Sequence, residues 1–420
     1  METAIPEGFK EMVRGMQGID GEALLAALDT PSPVSIKINR RKLKDCSTQA
    51  VAGTLGYGDL KPVPWCASGF YLPSRPQFTL NPLLHAGVFY VQEAGSMFYE
   101  SIVQELAADL PPGLVLDACA APGGKSTSIL NALPDGWTLV SNEFVPTRAA
   151  VLRENLLKWG YPDIVVTNSP VSALAKAGPL FSIVAVDAPC SGEGMMRKEP
   201  VARSQWSPGL VQQCAALQRE ILADAVDALL PGGILIYSTC TFNTAEDDDN
   251  LQWLVDNFGL EPIQLRCAAL VPGHADYPSP NRAVRFMPHI TDSEGLFVAA
   301  LRKPGELRPV RNPKAKLSQL LKGCKVLCDG YPEPVMKGKN LIPDPTAALD
   351  ITFDANKYPR ADVDLTTALD YLRHNAITLP AGSPAGVTVL TYKGFPLGFV
   401  KNLGNRANNM YPKEWRIRNL

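Results

Sequence analysis

Residues 113–127 read GLVLDACAAPGGKST, a buried-strand pattern that runs directly into a glycine turn. The apolar first half has the length and composition of a strand, and the second half leads into residues that can begin a helix. A Gly-Gly turn lets the backbone approach a ligand closely, and the first turn of the following helix offers free N–H groups. The stretch therefore predicts a ligand-binding loop at the carboxyl end of a strand.

The same alternation of strand and helix patterns continues towards the C-terminus. Helical segments such as TRAAVLRENLLKWG (147–160), which is predicted to end at Gly160, lie between the strand patterns. Further strands are predicted at TLVSNE (138–143), IVVTN (164–168), FSIVAVD (181–187), GILIYST (233–239) and GLFVAALRK (295–303), the last at the domain edge. Strands that alternate with helices form parallel βαβ units, so residues 78–303 are predicted to form an α/β domain with a doubly wound, mostly parallel sheet.

The segments on either side of this domain differ from it in composition. Segment 1–77 mixes short helical patterns with the basic stretch SIKINRRKLK (35–44), which fits either a solvated strand edge or an RNA contact. Segment 304–420 opens on a Pro- and Lys-rich linker pattern and ends in YKGFPLGFVKNLGNRANNMYPKEWRIRNL (392–420). This tail interleaves basic with aromatic residues, which is typical of RNA binding, although the aromatic residues also fit the core of a small β-rich domain.

The overall composition limits the classes of function. The chain of 420 residues carries 40 Lys and Arg against 42 Asp and Glu, so nucleic-acid binding would depend on local basic patches and not on the net charge of -2. Nine scattered cysteines are typical of free thiols in a reducing cytosol. The sequence contains no uncharged apolar run of the ~18 residues that a membrane span needs. We therefore expect a cytoplasmic protein with no membrane partner.

The glycine loop favours one class of cofactor over two others. Its GGKST ending suggests a phosphate loop, but that motif needs glycine at position 119, where this chain has Cys119. The GxGxxG fingerprint of nicotinamide enzymes is also missing from the sequence. The second predicted strand ends at Glu143, whose carboxylate suits two ribose hydroxyls. A nucleoside cofactor without a pyrophosphate fits these features, and S-adenosylmethionine is the commonest one.

The predicted sheet brings two cysteines to one edge. Asp187 and Cys190 follow the fourth strand, and Cys240 follows the fifth. Methylation of carbon 5 of cytosine needs such a set, because a thiolate must add to carbon 6 before carbon 5 can attack a sulfonium methyl group. An acid that hydrogen-bonds ring nitrogen 3 helps this addition, a role that suits Asp187. Neither cysteine has the CxxC spacing of a zinc site, so no metal is expected.

Five stretches within residues 34–303 resemble the RNA (cytosine-5) methyltransferases of the Nol/Nop/Sun family. They are HAGVFYVQEAGSM (85–97), DACAAPGGKST (117–127), VDAPCSGEGMMRK (186–198), WSPGLVQQCAALQREIL (206–222) and YSTCT (237–241). The tail KNLGNRANNMYPKEWR (401–416) resembles the bacterial small-subunit ribosomal RNA methyltransferases of the RsmF type. The resemblance implies a Rossmann-like class I methyltransferase core, an N-terminal α+β RNA-binding segment (1–77) and a C-terminal PUA-like, β-rich RNA-binding domain within 304–420.

The resemblance also implies roles for individual residues. Cys240 would be the nucleophile, Cys190 would promote breakdown of the covalent adduct, and Asp187 would lie near the reacting centre. Cofactor contacts are implied for Cys119, Ala120, Ala121, Pro122, Gly123, Gly124, Lys125, Glu143 and Asp187. The family usually has Asn-Asp after the third strand, with the aspartate near adenine. This chain has Asn168-Ser169 there, which puts that contact in doubt.

Taken together, these features predict a monomeric, S-adenosylmethionine-dependent enzyme that methylates carbon 5 of a cytosine in small-subunit (16S) ribosomal RNA. The target nucleotide would have to leave its stack to reach a thiol at the sheet edge. A transfer-RNA methyltransferase of the same chemistry is the second hypothesis. A non-catalytic ribosome-assembly factor is the third, but Asp187 and both strand-end cysteines are present.

Overall fold

The structure, a computed structural model, describes residues 4–276, 279–310, 317, 321–337 and 340–418. Its N-terminal elements are α1 (Glu7–Arg14), α2 (Gly21–Leu28), β1 (Val34–Ile38), α3 (Thr48–Leu55), β2 (Lys61–Val63), β3 (Cys66–Leu72), α4 (Pro82–His85) and β4 (Phe89–Val91). The strands form an antiparallel sheet in the order β2-β3-β1-β4. Because β4 pairs with β1, this sheet extends beyond the boundary predicted at residue 77.

The central elements are α5 (Phe98–Ala108), β5 (Leu114–Asp117), α6 (Gly124–Ala132), β6 (Thr138–Asn142), α7 (Pro146–Trp159), β7 (Ile164–Thr167), α8 (Val171–Ala175), β8 (Phe181–Asp187), α9 (Pro200–Gln205), α10 (Pro208–Ala228), β9 (Leu229–Thr239), α11 (Asp248–Phe258), β10 (Glu261–Pro262), β11 (Val284–Phe286), β12 (Leu296–Arg302) and β13 (Val326–Asp329). In the part of the chain that the structure describes, they build a sheet in the order β10-β12-β9-β8-β5-β6-β7-β13, with β11 beside β12. The strands from β9 to β7 in this order are parallel, which confirms the predicted α/β class.

The strand order fixes where a ligand can bind. The chain builds β6 and β7 on one side of β5 and then β8 and β9 on the other. The order therefore reverses between β5 and β8, and a crevice forms outside their carboxyl ends, where ligands bind in open α/β sheets. The predicted glycine loop follows β5, and the segment with Asp187 and Cys190 follows β8.

Local sequence explains these elements. The first six residues of β8 are buried, as expected for a central parallel strand covered on both faces. The side chain of Ser207 caps α10 by accepting a hydrogen bond from Leu210 N at 3.1 Å, and Pro208 occupies the first turn. Helix α7 ends at Gly160 as predicted, with a left-handed φ of 95°. A Cβ there would lie 2.4 Å from the carbonyl oxygen of Leu349, so this position needs glycine.

Two expectations about the sheet edges are wrong. Strand β12 was predicted at the domain edge, but it pairs with β9 on one side and with β10 and β11 on the other. Its apolar run is buried, which explains why other strands cover it. At the opposite end, β13 pairs with β7, so a segment beyond residue 304 completes the central sheet. The second half of the predicted linker, 311–316, lies outside the described residues.

The C-terminal elements are β14 (Val335–Lys337), β15 (Asn340–Ile342), β16 (Arg360–Asp362), α12 (Leu365–Leu372), β17 (Gly386–Tyr392), β18 (Phe395–Asn402) and β19 (Ala407–Asn409). Strands β16 to β19 form a small sheet in that order, and β14 pairs with β15. Single-turn 3₁₀ helices occur throughout the described chain, at Phe78–Leu80, Gly95–Met97, Glu193–Arg197, Arg266–Leu270, His274–Asp276, Ala347–Leu349, Ala355–Lys357 and Lys413–Trp415. The β-rich C-terminal domain agrees with the predicted architecture.

Candidate active site

The glycine loop is fixed at the carboxyl edge of the sheet by its neighbours. The backbone N–H of Ala118 donates to Ala185 O and that of Ala120 donates to Asn142 O, both at 2.8 Å. Gly123 has a φ of 111° and directly precedes α6, so the chain turns sharply from the strand into the helix. The first turn of α6, whose N–H groups have no partner within the helix, therefore begins next to the crevice, which Lys125 lines.

A cavity of about 610 Å³ opens at this edge, within the ~300–1,000 Å³ range typical of small-molecule sites. The predicted residues that line it are Cys119, Ala121, Lys125, Glu143, Asp187, Cys190 and Cys240. A larger cavity of about 920 Å³, between α1 and α10, contains none of the predicted site residues. The 610 Å³ cavity is therefore the candidate site, and it brings the loop, the carboxylates and both cysteines together.

The other four loop residues shape the turn and do not line the cavity. Ala120 is buried, and the carbonyl oxygen of Pro122 accepts a hydrogen bond from Asn155 Nδ2 at 2.7 Å. Gly123 supplies the left-handed turn, and the carbonyl oxygen of Gly124 accepts from a lysine described below. Their contribution is to the shape of the loop, whereas Cys119, Ala121 and Lys125 present side chains to the cavity.

Glu143 lies at the end of β6 with a nearly buried side chain. Its Oε1 accepts a hydrogen bond from Val145 N at 2.8 Å, and its Oε2 lies 3.6 Å from Arg148 NH2. The same guanidinium donates to Ala121 O at 2.9 Å, which joins this carboxylate to the glycine loop. The Glu143 carboxylate is therefore oriented before any ligand binds, and it faces the cavity as a hydrogen-bond acceptor.

Asn168 and Ser169, which stand where the resemblance led us to expect Asn-Asp, are both engaged in backbone contacts. Asn168 Nδ2 donates to the carbonyl oxygens of Glu143 and Phe144, each at 2.8 Å. Ser169 is buried, and its hydroxyl accepts from Lys325 N at 2.9 Å just before β13. The pair thus supports the loop after β6 and fastens β13 to the sheet. Asn168 therefore supports the backbone of two residues that line the cavity, whereas neither Asn168 nor Ser169 lines it.

A charged chain of hydrogen bonds occupies the centre of the cavity floor. Lys125 Nζ donates to Asp187 Oδ2 at 2.8 Å, and Ser238 Oγ donates to Asp187 Oδ1 at 2.7 Å. The Tyr99 hydroxyl lies 2.8 Å from Ser238 Oγ. Burial lowers the pKa of Lys125, but the adjacent Asp187 carboxylate outweighs burial and raises this pKa above its ordinary value. Lys125 therefore remains a cation beside the carboxylate.

The two predicted cysteines are in direct contact. Cys190 Sγ and Cys240 Sγ lie 2.9 Å apart, and both are free thiols. The hydrogen bond with Cys190, the burial of the site and the Asp187 carboxylate all raise the pKa of Cys240 well above its ordinary value. Lys125 acts in the opposite direction by favouring the thiolate. The resting Cys240 is consequently a protonated thiol, paired with a second thiol that can exchange a proton with it.

Two buried carboxylates near the cysteines were missed by the sequence analysis. Glu193 and Glu246 have no exposed surface, and burial raises the pKa of Glu193. The available signal was their position, since one follows Cys190 by three residues and the other follows Cys240 by six (193 minus 190, 246 minus 240). Position alone does not reveal burial, because Glu is usually a surface residue.

The basic stretch of the N-terminal segment also reaches the site from behind. Lys37 on β1 is fully buried, and its Nζ donates to Gly124 O at 3.0 Å, to Thr127 Oγ1 at 2.9 Å and to Ser128 Oγ. These acceptors form the first turn of α6. Strand β1 lies between β3 and β4, so the expectation of a solvated strand edge is wrong for Lys37. The side chain instead joins the N-terminal sheet to the helix that follows the glycine loop.

Comparison with known proteins places this arrangement in a family. The family model "16S rRNA methyltransferase RsmB/F" matches residues 108–302. The chain is 30% identical to ribosomal RNA small subunit methyltransferase F of Enterobacter sp. (strain 638), over 94% of this chain and 92% of that one. This chain belongs to the RsmF family of 16S rRNA methyltransferases. Models of the RsmF N-terminal domain and the RsmF PUA domain match residues 5–94 and 358–417.

Solved structures share the methyltransferase fold of this RsmF family member. A methyltransferase homologue from Pyrococcus horikoshii is 26% identical, with a TM-score of 0.60, over 72% of this chain and 96% of that chain. NSun6 from Pyrococcus horikoshii, solved with SFG, is 19% identical with the same TM-score of 0.60, over 73% of this chain and all of that chain. The predicted Rossmann-like methyltransferase core and the C-terminal PUA domain are thus confirmed.

The basic, aromatic tail of this RsmF family member was interpreted either as an RNA-binding surface or as the core of a small domain. In the PUA domain, its basic and its aromatic residues have different positions. Its basic residues are exposed, whereas the side chains of Phe399, Tyr411 and Trp415 are buried. The exposed residues are Lys393, Lys401, Arg406, Lys413, Arg416 and Arg418. The buried aromatic residues form the core of the domain, so they do not stack on bases. The exposed cations form the surface that can contact phosphates.

Within the described ranges, no helix has the length and hydropathy to span a membrane. The same ranges contain no group of three or more His, Cys, Asp or Glu side chains placed to hold a metal ion.

Proposed function

We propose that this methyltransferase transfers the methyl group of S-adenosylmethionine to carbon 5 of a cytosine in small-subunit ribosomal RNA, through a covalent cysteine–cytosine adduct. The observation that carries the proposal is the contact between Cys190 and Cys240, 2.9 Å apart, in the cavity that also holds Lys125 and Asp187. Methyl transfer to most nitrogen or oxygen acceptors needs no enzyme thiol, whereas carbon 5 of cytosine must first be activated by a nucleophile.

The cavity fits the cofactor by its shape and by its donors and acceptors. The Glu143 carboxylate faces it as an acceptor for ribose hydroxyls, and the first turn of α6 contributes N–H groups. The SFG in NSun6 from Pyrococcus horikoshii occurs in a protein of the same fold. When bound, the cofactor supplies an electrophilic methyl group. Cys119 and Ala121 would line its site, with Glu143 orienting the ribose.

The reaction begins with Cys240. Its thiol gives its proton to solvent, and Sγ forms a bond to carbon 6 of cytosine while the electron pair moves towards ring nitrogen 3. Asp187 and Lys125 lie together at this point, held by the 2.8 Å ion pair, and can stabilise or protonate nitrogen 3. Carbon 5 then becomes nucleophilic and accepts the methyl group.

The reaction ends when solvent takes the carbon 5 proton, the electron pair of that bond forms the carbon 5–carbon 6 double bond, and the Cys240–carbon 6 bond breaks. Cys190 contacts the Cys240 sulfur directly, so its thiol can donate a proton to the leaving thiolate. Cys190 itself makes no bond to the base in this scheme. Its position next to Cys240, and not across the ring, supports a role in release.

The exposed basic residues of the PUA domain support an RNA substrate. They would contact phosphates and leave base recognition to the cavity. The relative from Enterobacter is named for the ribosomal small subunit, which supports that RNA over transfer RNA.

The proposal is tested by mapping 5-methylcytosine in 16S ribosomal RNA and in transfer RNA, with and without this gene. We expect one or more cytosines in 16S RNA to lose their methyl group when the gene is deleted. Restoring the gene as Cys240→Ala should fail to restore the methyl group. Loss of 5-methylcytosine from transfer RNA alone would favour the transfer-RNA enzyme, and an unchanged map in both RNAs would favour a non-catalytic assembly factor.

A further inference from the structure

The loops that carry the two cysteines are held together by two exchanged carboxylates. Glu193 belongs to the loop of Cys190, but its Oε2 accepts hydrogen bonds from the loop of Cys240, from Phe242 N at 2.6 Å and Asn243 N at 3.1 Å. Its Oε1 accepts from Trp206 Nε1 at 3.0 Å. The first loop therefore reaches across to fix the backbone just after Cys240.

The reverse contact comes from Glu246. This residue belongs to the segment after Cys240, and its carboxylate accepts from Ser191 N at 3.0 Å and from the Ser191 hydroxyl. Gln218 on α10 donates to Glu246 Oε2 at 2.7 Å and to Pro189 O at 3.0 Å. Ser191, which follows Cys190, is thus held by the Glu246 carboxylate, and Pro189, which precedes Cys190, is held by the Gln218 amide that also bonds to Glu246.

A third set of contacts joins the two halves. Asn243 Nδ2 donates to Glu193 Oε1 at 2.9 Å and to Glu246 Oε1 at 2.8 Å. Gly194 N donates to Cys240 O at 2.8 Å. A Cβ at Gly194 would lie 3.2 Å from the carbonyl oxygen of Cys240 and 2.5 Å from that of Glu294, so the first loop packs tightly against the second loop and against the segment of Glu294.

We propose that Glu193 and Glu246 are positioning residues that set the separation between Cys190 Sγ and Cys240 Sγ. Glu246 fixes the backbone after Cys190 directly and the backbone before Cys190 through Gln218, and Glu193 fixes the backbone that follows Cys240. The consequence for release of the RNA adduct rests on the proposed function. The effect of Glu193 and Glu246 on the distance between the sulfur atoms is independent of the proposed function.

The energetics support positioning over a general stabilising role. Neither carboxylate has a Lys or Arg within ion-pair distance among the described residues, so N–H and O–H donors alone compensate the buried charge. Hydrogen bonds to charged groups are directional, and an unmatched donor in a buried site is strongly unfavourable. A glutamine at position 246 would point an amide N–H at a donor, either Ser191 or Gln218. The loop of Cys190 would then have to move.

The direct test is the rate at which diamide joins Cys190 and Cys240. Diamide takes two protons and two electrons from the thiol pair, which forms the disulfide and leaves the reduced hydrazine. The purified full chain is treated without RNA or cofactor, and the cross-linked peptide is measured by mass spectrometry. We expect Glu246→Gln to slow cross-linking roughly tenfold or more, because a lost hydrogen bond to a charged group corresponds to at least that factor.

The matched control is Glu105→Gln. Glu105 also accepts from two backbone N–H groups of a loop, Arg266 N at 2.9 Å and Cys267 N at 2.8 Å, but it does not line the cavity. It should leave the cross-linking rate at the wild-type value. A wild-type rate in a folded Glu246→Gln variant would overturn the proposal. If that variant does not fold, Ser191→Ala removes one donor without changing a buried charge, and the same slowing, smaller in size, is expected.

A second measurement connects the distance to chemistry. With RNA and cofactor, Glu246→Gln should increase the fraction of protein found covalently attached to RNA at steady state, as misplacement of Cys190 slows release. A fraction equal to that of wild type, despite slowed cross-linking, would overturn the link to release. If wild type forms neither 5-methylcytosine nor adduct, the proposed function fails, while the diamide measurement still decides the positioning role.

Discussion

Cys190 Sγ and Cys240 Sγ lie 2.9 Å apart, although the residues are 50 positions apart in the chain and follow different strands. Strands β8 and β9 are parallel neighbours with Asp187 paired to Ser238, so extensions of three and two residues beyond this pair (190 minus 187, 240 minus 238) bring the two thiols together. The thiols share the cavity edge but have different neighbours. Cys240 lies within the electrostatic influence of Lys125 and Asp187, which supports its assignment as the attacking group.

The two cysteines should respond differently to replacement by alanine. We expect Cys240→Ala to form no covalent adduct with RNA, because no thiol remains to bond to carbon 6. We expect Cys190→Ala to accumulate adduct, because the leaving Cys240 thiolate lacks its proton donor. Denaturing gel electrophoresis of enzyme mixed with RNA and cofactor measures both.

Cys46→Ala serves as the control for this pair. Cys46 is half-buried, and its Sγ lies 3.4 Å from Leu43 O in the N-terminal domain, outside the cavity lining. It should behave as wild type. Adduct formation by Cys240→Ala that disappears in Cys190→Ala would reverse the assigned roles.

The reactivity of Cys240 towards iodoacetamide should rise steadily with pH. Its pKa is raised by the hydrogen bond with Cys190, by burial and by Asp187, so the thiol form dominates at neutral pH. Below that pKa the thiolate fraction, and with it the alkylation rate, increases about tenfold per pH unit. Mass spectrometry of the Cys240 peptide between about pH 6 and pH 9 measures the slope.

The Cys190→Ala variant provides the internal comparison for this pH profile. It removes the largest cause of the raised pKa, so its Cys240 should be alkylated faster than that of wild type at the same pH. A plateau in the wild-type rate below pH 8 would contradict the raised pKa. Equal rates in both proteins would contradict the assigned cause.

The sequence predicted the residues at the carboxyl edge of the sheet better than the contacts that support them from other parts of the chain. Asp187, Cys190 and Cys240 follow strand patterns, and parallel strands bring their carboxyl ends together, so their convergence follows from the fold class. Ala120, Pro122, Gly123 and Gly124 were predicted as cofactor residues from the motif. The motif does not indicate which loop residues line the cavity, and the structure places these four outside its lining.

Contacts between distant segments could not be predicted. Lys37 lies in a basic stretch of the sequence. Its burial against α6 depends on the packing of the N-terminal sheet against the central domain, between residues 87 positions apart in the chain. Strand β13 is short and partly exposed, so its own pattern does not indicate that it pairs with β7. Glu193 and Glu246 look like surface residues until their donors, which come from other loops, are known.

The methylation rate should fall strongly when the Asp187 carboxylate is replaced and less strongly when only one of its hydrogen bonds is removed. Asp187→Asn removes the charge that pairs with Lys125 and faces the reacting centre, so the methylation rate should fall about 10²–10⁴-fold, the usual range for a lost acid–base group. Ser238→Ala keeps the charge and removes only the 2.7 Å hydrogen bond that orients it, so a loss of about tenfold is expected. Single-turnover methylation with saturating cofactor and RNA measures both.

Ser204→Ala is the control for the serine variant. The Ser204 hydroxyl is exposed and donates within its own helix to Val201 O, so its loss should leave the rate unchanged. A Ser238→Ala rate equal to wild type would show that Lys125 alone orients Asp187. An Asp187→Asn rate within threefold of wild type would remove this carboxylate from the mechanism.

The pH dependence of stability should reveal the buried Lys37. Burial lowers its pKa from 10.5 to about 7 in the folded protein. Between pH 7 and pH 10.5 the unfolded chain therefore binds more protons at this residue than the folded one. The free energy of unfolding contributed by Lys37 must then rise with pH in that window. Below pH 7 both states are protonated, and the folded state carries the unfavourable buried charge.

We expect the stability difference between wild type and Lys37→Met to shift in favour of wild type as the pH rises from 7 to 8.5, a range chosen to lie within the window set by the lowered pKa. Urea unfolding at each pH measures it, with Lys61→Met on exposed β2 as the control that should show no such shift. Other buried groups contribute equally to both proteins and cancel in the difference. A difference independent of pH would mean that Lys37 keeps its ordinary pKa. In that case the three acceptors on α6 would hold a full charge at the back of the glycine loop.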